Sequence, residues 1–160
     1  MWAPWRMSYV SGDVTEDVSP ECPFCVLPVS GDDRGAYILH RATSAYVIMN
    51  LHPYNSGHVM VIPYAHVDSL QALDDASSAE LMHLARRTQG ILSERLRPHG
   101  FNLGMNLGAA AGAGIAQHIH LHVVPRWNGD TNFMPVMNDT RVMPQHLDET
   151  YDLLVEGFAT

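Results

Sequence analysis

Histidine alternates with apolar residues in the segment Gln117-His118-Ile119-His120-Leu121-His122-Val123-Val124-Pro125-Arg126. This alternation predicts a core strand over Gln117–Val124, closed by Pro125. Alternate side chains of a strand point to the same face, so one face is expected to carry three imidazoles, those of His118, His120 and His122. Neighbouring protonated rings repel one another, and a functional site is therefore the better explanation of the pattern.

Two chemistries suit three aligned histidines. His-x-His on a strand can seat zinc, and an imidazole can attack phosphorus while its neighbours hold it in the right tautomer. The preceding loop, Asn106 to Gly114, is rich in Gly and Ala. Its free backbone N–H groups could cradle a phosphate, which favours the covalent chemistry.

The rest of the chain predicts an α+β domain with an antiparallel sheet, because strands come in runs with helices inserted. The expected strands are Ala36–His40 and Ala45–Asn50 as a hairpin, His58–Ile62 ended by Pro63, and Phe101–Leu107. The expected helices are a short one at Val67–Leu73, a long one starting near Ser77 with Glu80 as its capping-box partner, and one at Pro144–Phe158.

Length and composition fit one compact globular domain. The chain has 160 residues, 46% of them apolar, and no apolar run long enough to span a bilayer. Its formal net charge is -8, and all nine basic residues are scattered arginines. A long nucleic acid is therefore not an expected partner, whereas a small phosphorylated ligand is. The N-terminus lacks the layout of a secretory signal, so a cytoplasmic location is expected.

The histidine segment resembles the signature of the histidine triad (HIT) family. The likeness extends to Asn50, to the stretch from Pro53 to Pro63, and to Trp127 and the residues after it, the last resembling a subgroup with diadenosine polyphosphate hydrolases and phosphorylases. It covers most of the chain. It implies a five-stranded antiparallel sheet with a long and a shorter helix in a single domain over residues 1–160, with an N-terminal arm (1–35), a core (36–126) and a tail (127–160), and a homodimer.

The resemblance also implies roles for individual residues in a nucleotide hydrolase or phosphorylase. His120 would attack the α-phosphorus and form a nucleotidyl-histidine, with His118, His122 and His58 orienting it and stabilising charge. Nucleotide and phosphate contacts would come from Asn50, Asn106, Gly112, Gly114 and Gln117. Many family members carry Gln or Ser four residues before the first triad histidine, and here that position is Gly114. The departure leaves open whether water or phosphate accepts the nucleotidyl group.

A zinc site is expected at the N-terminal arm. Cys22 and Cys25 form a Cys-x-x-Cys pair, which suggests half a zinc site or a redox pair. In zinc-bearing branches of the HIT superfamily, the other two ligands are histidines whose positions resemble those of His66 and His118 in this sequence. Such an ion would be structural, clamp the arm to the sheet and fix the ring of His118; no organic cofactor is expected.

Three other functions remain open from the sequence. Nucleotidyl transfer to a sugar phosphate shares the Cys-x-x-Cys and His-x-His features, although those enzymes are much longer. A regulatory module could bind zinc and a nucleotide without catalysis. A metalloenzyme could use the three histidines as zinc ligands that activate water.

Overall fold

A computed structural model describes residues 22–130 and 146–159. Its centre is a five-stranded sheet in the order β1-β2-β3-β5-β4, with every neighbouring pair antiparallel. The strands are β1 (Ile38–Arg41), β2 (Ala45–Met49), β3 (Val59–Pro63), β4 (Gly100–Gly104) and β5 (Leu121–Arg126). The helices are α1 (Pro23–Val26), α2 (Asp75–Leu96) and α3 (Leu147–Phe158), with 3-10 turns at Leu27–Val29, Leu70–Ala72 and Ala109–Ala111. The predicted α+β class and antiparallel sheet are confirmed.

The long helix α2 starts two residues earlier than predicted. Asp74 is its N-cap and accepts a hydrogen bond from the backbone N–H of Ser77. The predicted capping box of Ser77 and Glu80 is wrong, because Glu80 accepts hydrogen bonds from the backbone N–H and hydroxyl of Ser44 instead. Glu80 therefore ties the β1–β2 turn to the helix.

The two faces of the sheet differ. Helices α2 and α3 cover one face, where Leu84, Leu92 and Leu154 pack against alternate strand residues such as Val47, Val61 and Val123. The other face carries a smaller cluster around Tyr46, Ile48 and Met60, covered by Phe24 of the N-terminal arm. His122 pairs with Met60 across β3 and β5, which places it on this second face.

Strand β5 is shifted relative to the prediction. It begins at Leu121 and includes Pro125, so His118 and His120 lie in the segment that enters the strand. Pro125 is tolerated because β3 pairs with β5 only as far as Val123, and the missing N–H interrupts no ladder. The backbone oxygen of Pro125 accepts instead from the Asn55 amide, 3.2 Å away.

Other boundaries also moved. The predicted helix at Val67–Leu73 is only a 3-10 turn, and β4 is shorter than predicted. Helix α3 begins at Leu147, while Pro144 and Gln145 lie outside the described residues. Most of the arm, residues 1–21, also lies outside them. Among the helices that are described, none is long and apolar enough to traverse a bilayer.

Gly57 is the position where the turn before β3 needs a glycine. Its φ is +71°, and a Cβ there would lie 2.4 Å from Leu96 Cδ1 and 3.3 Å from Pro125 Cγ. A side chain would therefore meet both backbone strain and the packed surface of α2. Gly90, in α2, has an exposed position, and a Cβ there would meet nothing within 4 Å.

We predict opposite effects of the same substitution at these two glycines. Gly57→Ala should lower the free energy of unfolding by roughly 1–3 kcal/mol, and Gly90→Ala should raise it by about 0.5–1 kcal/mol, because alanine favours a helix interior. Urea denaturation followed by circular dichroism measures both. Equal stability of the two variants would contradict this account of the turn.

Candidate functional site

A cavity of about 160 Å³ opens on the sheet face that the long helices leave uncovered. Four residues singled out in the sequence lie on its wall: Asn50, Gly114, His120 and His122. The two histidine rings are 4.8 Å apart, nearly perpendicular, and both side chains are buried. The cavity is therefore built around two members of the histidine segment.

The tautomer of His120 follows from its backbone contact. Its Nδ1 lies 2.9 Å from the carbonyl oxygen of His118. A carbonyl can only accept a hydrogen bond, so Nδ1 carries the proton and donates it. The neutral ring then has its lone pair on Nε2, which is the nitrogen able to act as a nucleophile.

The tautomers of His58 and His122 follow in the same way. The backbone N–H of Tyr54 donates to His58 Nδ1 at 2.9 Å, so the proton of a neutral His58 is on Nε2. That nitrogen lies 2.9 Å from His122 Nδ1 and donates to it. A neutral His122 therefore carries its own proton on Nε2, as a hydrogen-bond donor beside His120.

We call the hydrogen-bonded series from the Tyr54 N–H through His58 to His122 the tautomer relay. A stacked ring and an amide hold it in place. Tyr54 stacks on His58 with ring centroids 4.8 Å apart. The Asn50 amide lies 3.4 Å from His58 Nδ1, and its oxygen accepts from the backbone N–H of His52 at 2.8 Å. Asn50 is buried, so the side chain that lines the cavity is fixed by the turn after β2.

His118 belongs to a second site beside the cavity. Its Nδ1 lies 3.4 Å from Cys22 Sγ and 3.6 Å from Cys25 Sγ, and Cys25 Sγ lies 3.3 Å from His66 Nδ1. The four ligand atoms of Cys22, Cys25, His66 and His118 all lie within 4.8 Å of one another. We call this group the metal cluster.

The metal cluster fits a small tetrahedral cation. Bonds of about 2.3 Å to sulfur and about 2.0–2.1 Å to nitrogen place the ligand atoms of a tetrahedron about 3.3–3.8 Å apart, a range that includes the contacts of 3.3, 3.4 and 3.6 Å, while all four atoms lie within 4.8 Å of one another. His118 Nε2 lies 2.9 Å from the Pro63 carbonyl oxygen and must donate to it. The lone pair of the ring is therefore on Nδ1 and faces the sulfurs. Metal-binding imidazoles are held in the same way, with one nitrogen donating to a carbonyl group and the other available to the metal.

Burial disfavours the charged forms of two members of the cluster, His118 and Cys25, through their pKa values. It lowers the pKa of His118; the hydrogen bond to the Pro63 carbonyl opposes this as the next largest effect, and the neighbouring His66 and His120 add smaller lowering effects. Burial and the neighbouring Cys22 raise the pKa of the Cys25 thiol. A bound dication would reverse the second effect, because it stabilises thiolates.

Some expected contacts are not part of the cavity wall. Asn106, Gly112 and Gln117 do not line it, and Gln117 is exposed. His118 does not line it either, and contributes to the site through its carbonyl group. His58 lies behind His122.

The sequence reasoning missed one wall of the cavity. That wall comes from the N-terminal arm and consists of Pro23, Phe24 and Leu27. The ring of Phe24 is 5.0 Å from the ring of His120 and 5.6 Å from that of His118. The sequence did contain a signal for Phe24, because it lies between two cysteines that were expected to approach His118. Two ligands so close in sequence also bring the residues between them close to His118.

No arginine is among the residues that line the cavity in the described part of the chain. Arg126, which follows the histidine segment, forms a bidentate ion pair with Asp130 at 2.6 and 2.7 Å. Its guanidinium also donates to Asn102 at 2.8 Å. The cavity therefore presents imidazole and amide N–H groups to a ligand rather than fixed positive charge.

The sequence model described as the HIT domain matches residues 35–129. A protein of Mycobacterium tuberculosis described as AP-4-A phosphorylase is 42% identical over 164 aligned positions, which cover 99% of this chain and 84% of that protein. A Schizosaccharomyces pombe protein named bis(5'-nucleosyl)-tetraphosphatase [asymmetrical] is 29% identical over 60% of this chain and 52% of its own length.

Solved structures agree with these sequence matches. The crystal structure of a Zn-bound histidine triad family protein from Mycobacterium smegmatis superposes with a TM-score of 0.69 at 28% identity. The superposition covers 87% of this chain and 94% of that one. A solved structure with the same fold is thus also one that contains zinc.

Proposed function

This chain belongs to the histidine triad family, and from that premise we propose that it is an enzyme that cleaves dinucleoside polyphosphates by nucleotidyl transfer through His120. The observation that carries the proposal is the hydrogen bond from His120 Nδ1 to the His118 carbonyl oxygen, because it places the ring's lone pair on Nε2, the nitrogen that can attack phosphorus. The relative described as AP-4-A phosphorylase supports the substrate class.

The proposed reaction has two steps. In the first, His120 Nε2 forms a bond to the α-phosphorus, and the bond from that phosphorus to the bridging oxygen breaks. The leaving group is the remaining nucleoside polyphosphate, whose bridging oxygen keeps the electron pair of the broken bond. In the second, water or inorganic phosphate attacks the same phosphorus, the nitrogen–phosphorus bond breaks, and His120 is regenerated, with any proton released passing to solvent. The Nε2–H of His122 stands where it can donate to a phosphoryl oxygen in both steps.

The supporting roles follow the resemblance and the contacts. We assign His58 to holding the tautomer of His122, and Asn50 to the ribose side of the nucleotide. Backbone N–H groups near Gly114 would contact phosphate, because that position lacks a side chain that could do so. Asn106, Gly112 and Gln117 stay predictions, since contacts to them would require a ligand that extends beyond the cavity.

Replacing the nucleophile tests the proposal directly. His120→Gly should lower kcat for diadenosine tetraphosphate at least roughly 10³-fold, because the covalent step uses its Nε2 as the nucleophile, and it should leave nucleotide binding largely intact. His83→Ala, at an exposed position of α2, is the matched control and should retain wild-type kcat. Full activity of His120→Gly would sink the assignment.

The products identify the acceptor and the intermediate. With inorganic phosphate, a phosphorylase yields a nucleoside diphosphate and a triphosphate from the tetraphosphate, whereas a hydrolase yields a monophosphate and a triphosphate with water alone. Wild-type protein quenched in alkaline denaturant should carry one nucleoside monophosphate on the His120 peptide. Absence of the adduct and of any product would favour the non-catalytic module.

The tautomer relay predicts a specific spectroscopic result. Long-range ¹H–¹⁵N spectra should show the neutral rings of His58 and His122 protonated at Nε2, and that of His120 at Nδ1. His58→Phe keeps a ring against Tyr54 but removes the donor to His122 Nδ1, so the fixed tautomer of His122 should be lost. Exposed His83 supplies the reference for a ring without a fixed tautomer. An unchanged His122 pattern in His58→Phe would contradict the relay.

We also propose that the metal cluster binds structural zinc. Two thiolates and two imidazoles are a zinc donor set, and the Zn-bound relative supports this identity. Bound zinc would supply a crosslink between the arm and the sheet, with no part in the chemistry at His120. Metal analysis of the purified protein should give about one equivalent, and Cys25→Ser should lose it; under one-tenth of an equivalent in folded wild type would exclude the site.

The homodimer implied by the resemblance is a further proposal. The outer edge of β4 has no partner strand within the described residues, and Leu103 on it is 44% exposed. An unpaired edge can accept a second chain.

A further inference from the structure

We infer that metal bound at the metal cluster sets the affinity of the cavity for nucleotide, because the residues between the two cysteines form one wall of that cavity. This inference rests on the proposed function. It gives the metal cluster a positioning role at the active site in addition to that of a structural clamp. Phe24 is the residue through which the coupling acts.

The geometry places the two sites back to back. Cys22 is the N-cap of helix α1 and Cys25 lies within the helix, and Pro23 and Phe24 between the two cysteines line the cavity together with His120. The Phe24 ring contacts both His118 of the metal cluster and the proposed nucleophile His120. A shift of the helix at its cysteine end would therefore move the wall that faces His120.

Helix α1 cannot hold this position alone. It has four residues, far below the length at which a helix is stable in water. Two other contacts fix it: the Tyr46 hydroxyl donates to the Phe24 carbonyl oxygen at 2.8 Å, and the Arg41 guanidinium donates to that of Pro28 at 2.8 Å. Both contacts lie downstream of Cys22, so the Cys22 end of α1 depends on the metal cluster.

Without a cation the cysteine end is weakly held. Neutral thiols are poor hydrogen-bond donors, and His66 and Cys25 are not fully buried. A dication would replace these contacts with four coordinate bonds. The wall is then ordered before nucleotide arrives, which lowers the entropy cost of binding.

Linkage turns this coupling into a measurable quantity. If metal raises nucleotide affinity by some factor, nucleotide must raise metal affinity by the same factor. We expect a factor of roughly ten, within the range typical of coupled sites. Metal affinity can be followed without any turnover.

The experiment titrates Co²⁺ into metal-free protein with and without saturating adenosine 5'-monophosphate. Thiolate-to-cobalt absorption reports the metal cluster directly. In wild type the Kd for Co²⁺ should fall about tenfold when the nucleotide is present. Phe24→Leu, which keeps an apolar side chain in the small core, should reduce this ratio to less than about twofold.

Ile115→Ala provides the matched control. Ile115 lines the same cavity and packs on the same small core, but it lies outside the arm. This variant should bind the nucleotide more weakly and still show the wild-type ratio once saturated. Because the weaker-binding variant needs more nucleotide for saturation, the free Co²⁺ concentration in each titration is corrected for chelation by the nucleotide in solution.

Three results would overturn the inference. Nucleotide binding to wild type with no change in the Kd for Co²⁺ would remove it while leaving the proposed function standing. A wild-type ratio in folded Phe24→Leu would show that the coupling does not pass through the arm wall. Failure of the nucleotide to bind, together with no turnover of diadenosine tetraphosphate, would instead remove the proposed function and the inference with it.

Discussion

The backbone and ring of His118 together connect the proposed nucleophile His120 to the metal cluster. Its carbonyl oxygen accepts from His120 Nδ1, and its ring lies between the Pro63 carbonyl and the two cysteine sulfurs. His118 is fully buried, and a buried imidazole with both nitrogens engaged has little freedom to rotate. The orientation of His120 therefore depends on His118, whose own orientation is fixed by Pro63 and the two cysteines.

Strand register supplies the second constraint. Val59 faces Val123 and Met60 faces His122 across β3 and β5, so His58, just before β3, reaches the same face as His122 and lies 2.9 Å from it. A slip of one residue would send His122 into the core beneath the helices. Leu121 and Val123 are buried on the helix side and resist that slip, because both would leave this core while His122 entered it. Packing on the helix-covered face of the sheet thus determines which side chains, His122 among them, lie on the face with the cavity.

Period and residue type predicted the sheet, the long helix and the histidine-bearing segment, because each depends on local pattern. Boundaries at Asp74 and Pro125 were missed, since a side-chain cap and the end of a neighbouring strand decide them. The aromatic wall was missed for a similar reason. Phe24 lies 94 residues from His118 in sequence, and only the folded chain shows that their rings meet. Asn106 and Gln117 were placed by resemblance alone, and the cavity does not include them.

The absence of fixed positive charge around the described cavity follows from the same architecture. An arginine beside His120 would favour deprotonated neighbours but would also bind any polyphosphate tightly, product included. Neutral N–H donors interact strongly only with an oxygen at hydrogen-bond distance, and their effect falls off faster with distance than that of a charge. Under the proposed function, the described part of the cavity would hold a phosphoryl group through directional N–H donors rather than through a fixed charge. In a chain with a formal net charge of -8, that binding would have to outweigh a weak overall repulsion, so the tautomer of each imidazole would matter to it.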